Sequence, residues 1–404
     1  MSRQTTKHAL YRTLVFAIAC IVFIPAPVQA QLTEGSVRLN GSTTVPFKLS
    51  GNHIYVQAIV DGRPFAFLFD SGAAASLSVE AQNALALTVT GYVDATGGGA
   101  AVTKIGIVTV PQFTVGSMTY SKGSFVYLPP LALQSPFPDL PFGGIFGREV
   151  FRKLVVTIDY QKSQLTFSQP SSFSPPPGAQ LLPLTLRDNY IPSVTASING
   201  HTGSFDVDSG SGLALIVTKQ FALSTGLEHE FPKVVSMQVG RGIGGPIMGE
   251  AGRGRVFALG PYQFENLPVS VTSSGVFASS DLAGNIGVDI LRRFTVSLDI
   301  PDSKLFLIPN ANFSAPFSTN RSGLFVIPDG SQWKVDSVVP GSPAAQAGVQ
   351  DGDTLLTADG QSASALAADG LRAIWNGPPG SDVHLQLRRG TKTIAVDFVL
   401  RDLF

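Results

Sequence analysis

Apolar and polar positions alternate with a period of two along most of this chain, the pattern of strands buried on one face. The run from Ile54 to Asp70 reads IYVQAIVDGRPFAFLFD, two apolar stretches around Asp61-Gly62. The run from Ile191 to Asp208 reads IPSVTASINGHTGSFDVD, with Asn199-Gly200 at the same place. Both dipeptides favour the positive-φ, two-residue turn of a β-hairpin. Asp61 precedes Asp70 by nine positions, and Asn199 precedes Asp208 by nine. Each predicted return strand therefore ends in Asp-Ser-Gly. Alternation along the second one is read as turning Asp206 outward.

A second pattern recurs downstream. Gly144 to Phe167 reads GIFGREVFRKLVVTIDYQKSQLTF, and Gly284 to Leu307 reads GNIGVDILRRFTVSLDIPDSKLFL, an offset of 140. Asp70 and Asp208 are offset by 138, so the registers differ by only two residues. Each block predicts a short helix (148–153 and 288–293), an apolar strand, a turn and a second strand. Two similar, mainly β lobes follow, residues 31–172 and 178–310. The polar, proline-rich stretch from Gln169 to Gly178 links them. A second Asn-, Ser- and Pro-rich stretch, Pro309 to Asn320, precedes a third unit at residues 321–404.

Residues 1–30 carry a different pattern. Arg3, Lys7 and Arg12 precede an apolar run from Leu14 to Ile24, then Pro25, Pro27 and Val28-Gln29-Ala30. This order predicts a secretory signal peptide cleaved after Ala30, with no stable membrane span left afterwards. The expected location is periplasmic or secreted. The only cysteine, Cys20, lies within this segment, so the mature chain is expected to hold no disulfide, thiol nucleophile or thiolate metal site.

Charge narrows the chemistry. Among 404 residues, 28 basic and 28 acidic side chains balance to zero, which argues against nucleic acid as a partner. Five histidines are scattered without metal-ligand spacing, so no metal and no cofactor is expected. The conspicuous groups are the two aspartates. Phe67-Leu68-Phe69 would deliver Asp70 to the end of a buried strand, where an unpartnered carboxylate is costly. One Asp-Ser-Gly alone reads as a turn. Two, at matching places in two similar lobes, can meet at an axis between them. Carboxylates in contact share one proton. The ionised member can then activate water while the protonated one donates to a carbonyl.

Asp70-Ser71-Gly72-Ala73 and Asp208-Ser209-Gly210-Ser211 resemble the active-site motifs of aspartic proteases, including retropepsin-like and pepsin-like members. Ile145-Phe146-Gly147 and Ile286-Gly287 resemble the hydrophobic-Gly element that follows in each lobe, and Gly147-Arg148-Glu149 is similar to the retroviral form. The resemblance covers about residues 40–310. It implies a duplicated, bilobal β-barrel-like fold with catalytic Asp70 and Asp208. Ser71, Gly72, Ser209, Gly210 and Ser211 would support the pair, with a Ser211 hydroxyl bond making Asp208 the more acidic. Peptides or unfolded proteins would be the substrates. Two glycine stretches between strand-like runs, Gly97-Gly98-Gly99 and the one holding Gly242 and Gly244, would be mobile flaps. Gly240–Gly245 also fits G-x-G-x-x-G, but no helix is expected after it.

The third unit resembles the PDZ domains of exported bacterial proteases, an α+β fold. Its signals are Pro343-Ala344-Ala345, Gly348, Gly352-Asp353 and a helix over 367–375. Gly323, Leu324, Phe325 and Val326 match the loop and strand that hold a peptide C-terminus. Two alternatives stay open: an inactive peptide-binding protein on this fold, and a PDZ-containing serine protease using Ser209, with His53 as a possible base.

Overall fold

The computed structural model describes residues 18–19, 32–128, 133, 135–187, 191–278 and 282–404. The expected signal peptide lies outside the described residues except for the backbone of Ile18–Ala19, which runs parallel to Arg241–Gly242. The protein is mainly β. Two nine-stranded sheets form two lobes, a six-stranded sheet joins the lobes from below, and a further six-stranded sheet builds the PDZ unit. Among the described residues no helix is long and apolar enough to cross a membrane.

In the first lobe the hairpin His53–Val60 and Arg63–Asp70 turns at Asp61-Gly62, both at positive φ. In the second, Ile191–Ile198 and His201–Val207 turn at Asn199-Gly200, again both positive. The return strands each take a parallel partner. Phe142–Gly147 lies beside the first, pairing Gly147 with Asp70. Gly284–Ile286 lies beside the second, pairing Ile286 with Val207. The short helices after them, Arg148–Phe151 and Val288–Leu291, are each one turn long and mostly buried.

Both lobes contribute strands to the sheet below them, where Val155–Asp159 runs antiparallel to Phe294–Asp299. Thr157 stands opposite Ser297, and their hydroxyls bond at 2.8 Å. One continuous core fills both lobes. It includes Phe67, Phe113 and Phe146 in the first and Phe205 and Phe257 in the second. The PDZ unit has its own core around Trp333, Leu355, Leu371 and Leu387. It is also packed onto the second lobe: Phe325, Val339 and Leu403 are buried with Met237, Val239 and Phe277. Asp369, in the helix Ala368–Trp375, reaches the first lobe, accepting from Ser50 Oγ at 3.0 Å and Gly51 N–H at 2.9 Å. The PDZ unit therefore touches both lobes.

Candidate active site

The two Asp-Ser-Gly turns meet between the lobes. Ser71 N–H donates to Ser209 Oγ at 2.9 Å, and Ser209 N–H donates to Ser71 Oγ at 3.0 Å. The hydroxyls then donate across the interface, Ser71 Oγ to Val207 O at 2.9 Å and Ser209 Oγ to Phe69 O at 3.4 Å. These four bonds are buried and lock the turns together. They also use the Ser209 hydroxyl, which has no proton left for a base. That argues against a serine nucleophile. His201, His229 and His384 lie beside Glu230, Glu228 and Asp397 in surface pairs.

Asp70 and Asp208 are both fully buried. Asp70 Oδ1 accepts from the N–H groups of Gly72 at 2.7 Å and Ala73 at 3.1 Å. Asp208 Oδ1 accepts from Gly210 N–H at 2.8 Å. The contact between turns is so close that a Cβ on Gly210 would lie 2.0 Å from Asp70 Oδ2, so only glycine fits. Burial and the charge of Asp208 push Asp70 well above the usual carboxylate range. Burial also raises Asp208, to about 6, but hydrogen bonds from Asn285 and Gly210 oppose the rise. The pair is thus unequal, with Asp208 the more acidic.

The agent of that inequality differs from the expectation. Ser211 Oγ has no hydrogen-bond partner. Asn285 instead donates from Nδ2 to Asp208 Oδ2 at 2.7 Å. The alignment of GNIG with GIFG held the signal, a polar residue where the first lobe has Ile145.

Asp206 also departs from expectation. It is fully buried, not outward, because residues two apart on a strand share a face and Asp208 points inward. Its charge is compensated by Arg187, with Nη2 2.5 Å from Oδ2, and by the Ser193 hydroxyl at 2.6 Å.

The glycine stretches form the tips of two hairpins. Gly91–Ala95 and Thr103–Val115 flank the first tip, and Val235–Gly242 and Gly245–Leu259 flank the second. The second is a strand pair, not the strand-then-helix of a dinucleotide loop. The tips touch: Gly99 N–H donates to Ile243 O at 2.9 Å and Ala101 N–H to Gly244 O at 3.2 Å. A Cβ on Gly99 would sit 2.2 Å from the Gly244 carbonyl carbon, so the crossing needs glycine. Gly97 and Gly98 are buried beside it, and Val276 N–H donates to Gly97 O at 3.0 Å.

The PDZ unit grips the second hairpin tip, expected as a flap, a contact with no sequence signal. Asp336, in the strand Gln332–Val338, accepts from Arg241 Nη2 through Oδ1, and from Gln238 Nε2 through Oδ2 at 2.9 Å. Arg241 lies one residue before Gly242 at the flap tip. In the loop expected to hold a peptide carboxylate, several amides are already engaged. Ser322 and Gly323 N–H donate to Asn320 Oδ1, each at 3.0 Å, and Leu324 N–H donates to Ser322 Oγ at 3.0 Å. Phe325 faces the second lobe, and Val326 is buried in the PDZ core. A cavity of about 160 Å³ remains between the units. Phe325, Leu371 and Trp375 line it from the PDZ side, and Leu213 and Val239 from the lobe.

Comparison with known proteins agrees with this architecture. Residues 56–150 and 194–290 both match the family model described as aspartyl protease, and residues 334–389 match that of the PDZ domain. No curated protein matches the chain. Among solved structures, an aspartic proteinase from Irpex lacteus is 16% identical, over 68% of this chain and 99% of its own, with a TM-score of 0.44. A photosystem II D1 C-terminal processing protease is 24% identical, over 23% of this chain and 26% of its own, with a TM-score of 0.21.

Proposed function

We propose that this chain, with its two aspartyl-protease-type lobes and its PDZ domain, is an exported endopeptidase that hydrolyses peptide bonds with Asp70 and Asp208. The observation that carries the reading is the pair of buried carboxylates held at the lobe interface by the Ser71–Ser209 bridge. Structural stability does not favour two buried acids with raised proton affinity, whereas general acid–base catalysis uses them. In the proposed mechanism Asp208, the more acidic, takes a proton from a water that attacks the scissile carbonyl. Asp70, protonated, donates to the carbonyl oxygen. A tetrahedral intermediate forms without an acyl-enzyme, and proton return to the leaving nitrogen breaks the C–N bond.

The flap contact supports an extended peptide lying beneath the tips, with the flaps parting to admit it. Of recruitment and regulation, the Asp336 grip on Arg241 and Gln238 favours regulation for the PDZ domain, because it ties the domain to a moving part. A peptide reaching the cavity would press on residues 212–214, next to the second Asp-Ser-Gly.

The test is cleavage of an unfolded protein such as casein by residues 31–404 from pH 3 to 8. Asp70→Asn and Asp208→Asn are each expected to abolish turnover while still unfolding in one cooperative transition. Full activity in either variant refutes the paired-carboxylate mechanism. Loss to a serine-directed sulfonyl fluoride alone would return the role to Ser209, and no cleavage at any pH would favour a peptide-binding protein.

A further inference from the structure

We propose that Asn285 is a positioning residue that assigns the two carboxylates their separate roles, holding Asp208 as the ionised base and leaving Asp70 as the proton carrier. Its catalytic meaning rests on the endopeptidase reading; its structural content does not.

The two lobes differ at one position. Asn285 lies on the strand parallel to the return strand of its lobe, opposite Asp206, two residues ahead of Asp208. Ile145 lies on the corresponding strand opposite Leu68, two residues ahead of Asp70. Across the hairpin, Ser193 pairs with Asp206 where Tyr55 pairs with Leu68. A layer that is Tyr55, Leu68 and Ile145 beneath one carboxylate is Ser193, Asp206 and Asn285 beneath the other. The backbones match, and the side chains do not.

The donors follow this difference. Asp208 has one on each oxygen, Gly210 N–H on Oδ1 and Asn285 Nδ2–H on Oδ2. Asp70 receives both of its donors on Oδ1, and Oδ2 has no partner. A proton placed on Asp208 Oδ2 would oppose the amide hydrogen already directed there. A proton on Asp70 Oδ2 meets no such donor. Burial alone would treat the two acids alike, since both are fully enclosed.

Other charges around Asp208 do not reproduce this bias. Asp206, on the same strand, disfavours its ionisation, and Arg187 with Ser193 compensates that charge. Asp289, in the one-turn helix that follows, and Arg292, just after it, pair with each other at 2.6 Å. The charge of Asp208 disfavours ionisation of Asp70 across the interface, and the Tyr160 phenol is held neutral by burial. Asn285 is the neutral side-chain donor that breaks the balance.

The experiment is a swap. Asn285→Ile installs the residue that the first lobe carries in the same backbone setting, and Ile145→Asn offers Asp70 the missing donor. Carboxyl titration is followed by NMR on protein labelled with ¹³C-aspartate, with signals assigned through Asp70→Asn and Asp208→Asn. In Asn285→Ile the more acidic member is expected to bind its proton about tenfold more tightly, the size expected for losing a charge-assisted hydrogen bond. The acidic limb of the kcat/KM profile should move to higher pH by the same factor, with kcat falling more than KM rises. In the double swap, Asp70 should become the more acidic group.

An unchanged titration in a normally melting Asn285→Ile protein overturns the inference. If that variant does not fold, Ile145→Asn alone decides it, since Asp70 must then titrate lower. The titration requires no turnover. A shifted titration in a protein that cleaves nothing retains Asn285's role and refutes the endopeptidase reading. Cleavage with no shift does the reverse.

Discussion

Removing the Asp336 carboxylate should release the second flap, and the release can be read without substrate. In the closed arrangement Gly99 N–H and Ala101 N–H of the first flap donate to Ile243 O and Gly244 O of the second. Those two amides exchange with solvent only when the tips part, so their protection reports the closed fraction. Asp336 restrains the second flap through Arg241 and Gln238. The Arg241 and Asp336 side chains are 23% and 12% exposed, so water screens the pair only partly. A hydrogen bond to a charged group contributes about 1.5–3 kcal/mol. Every 1.4 kcal/mol is a factor of ten, so Asp336→Ala should speed exchange at Gly99 and Ala101 by about 10- to 150-fold. Amide hydrogen exchange by NMR or mass spectrometry measures this directly. Asp397→Ala, which breaks the exposed His384–Asp397 pair, is the control and should leave both amides unchanged. Exchange within twofold of the parent protein in a folded Asp336→Ala would refute the clamp.

Three further outcomes follow from the same geometry. Ser209→Ala leaves the Ser71 N–H and Phe69 carbonyl without their cross-lobe partner, which should cost about 2–4 kcal/mol in urea unfolding; a change below about 0.5 kcal/mol would mean that water replaces the bridge. Asp206→Leu leaves the Arg187 guanidinium without its buried carboxylate partner and should cost about 3–5 kcal/mol; a neutral result would show that Arg187 finds another acceptor. Stability should also depend on pH through Asp208, which the fold pushes up to about 6 from an ordinary aspartate value of 3.8. The folded state then binds the proton more tightly than the unfolded state. This group's contribution is complete below about pH 4 and is lost as pH rises through 6, a change on the order of 3 kcal/mol. Urea midpoints at pH 4 and 7 should show a loss that Asp208→Asn reduces, the remainder coming from Asp70, and an equal loss in the two proteins would contradict it.

Much of this molecule could be read from its residues because the interactions involved are local or periodic. Asp61-Gly62 and Asn199-Gly200 specify their turns by backbone sterics alone, and alternation carries the strands to Asp70 and Asp208. Matched spacing in two similar segments brings the Asp-Ser-Gly turns to corresponding places, and the glycine stretches mark where backbones must cross closely. The sites at which the reading failed are polar groups whose partners lie far along the chain. Alternation read in isolation turns Asp206 outward, and Arg187 and Ser193, which compensate it inside the fold, cannot be found by period. Ser211 is next to the motif, yet its hydroxyl has no hydrogen-bond partner and Asn285, 77 residues from Asp208, takes the role.

Periodicity, turn sterics and motif spacing act within a few residues, so the strand pattern, the duplicated Asp-Ser-Gly turns and the kind of third domain are written in the chain itself. Tertiary packing selected which side chain makes Asp208 the more acidic aspartate, and which part of the PDZ domain meets the lobes. Those outcomes depend on single donors and ion pairs formed when distant segments pack, such as Asn285 with Asp208 and Asp336 with Arg241. Their strength comes from burial, which exists only once the fold has closed around them.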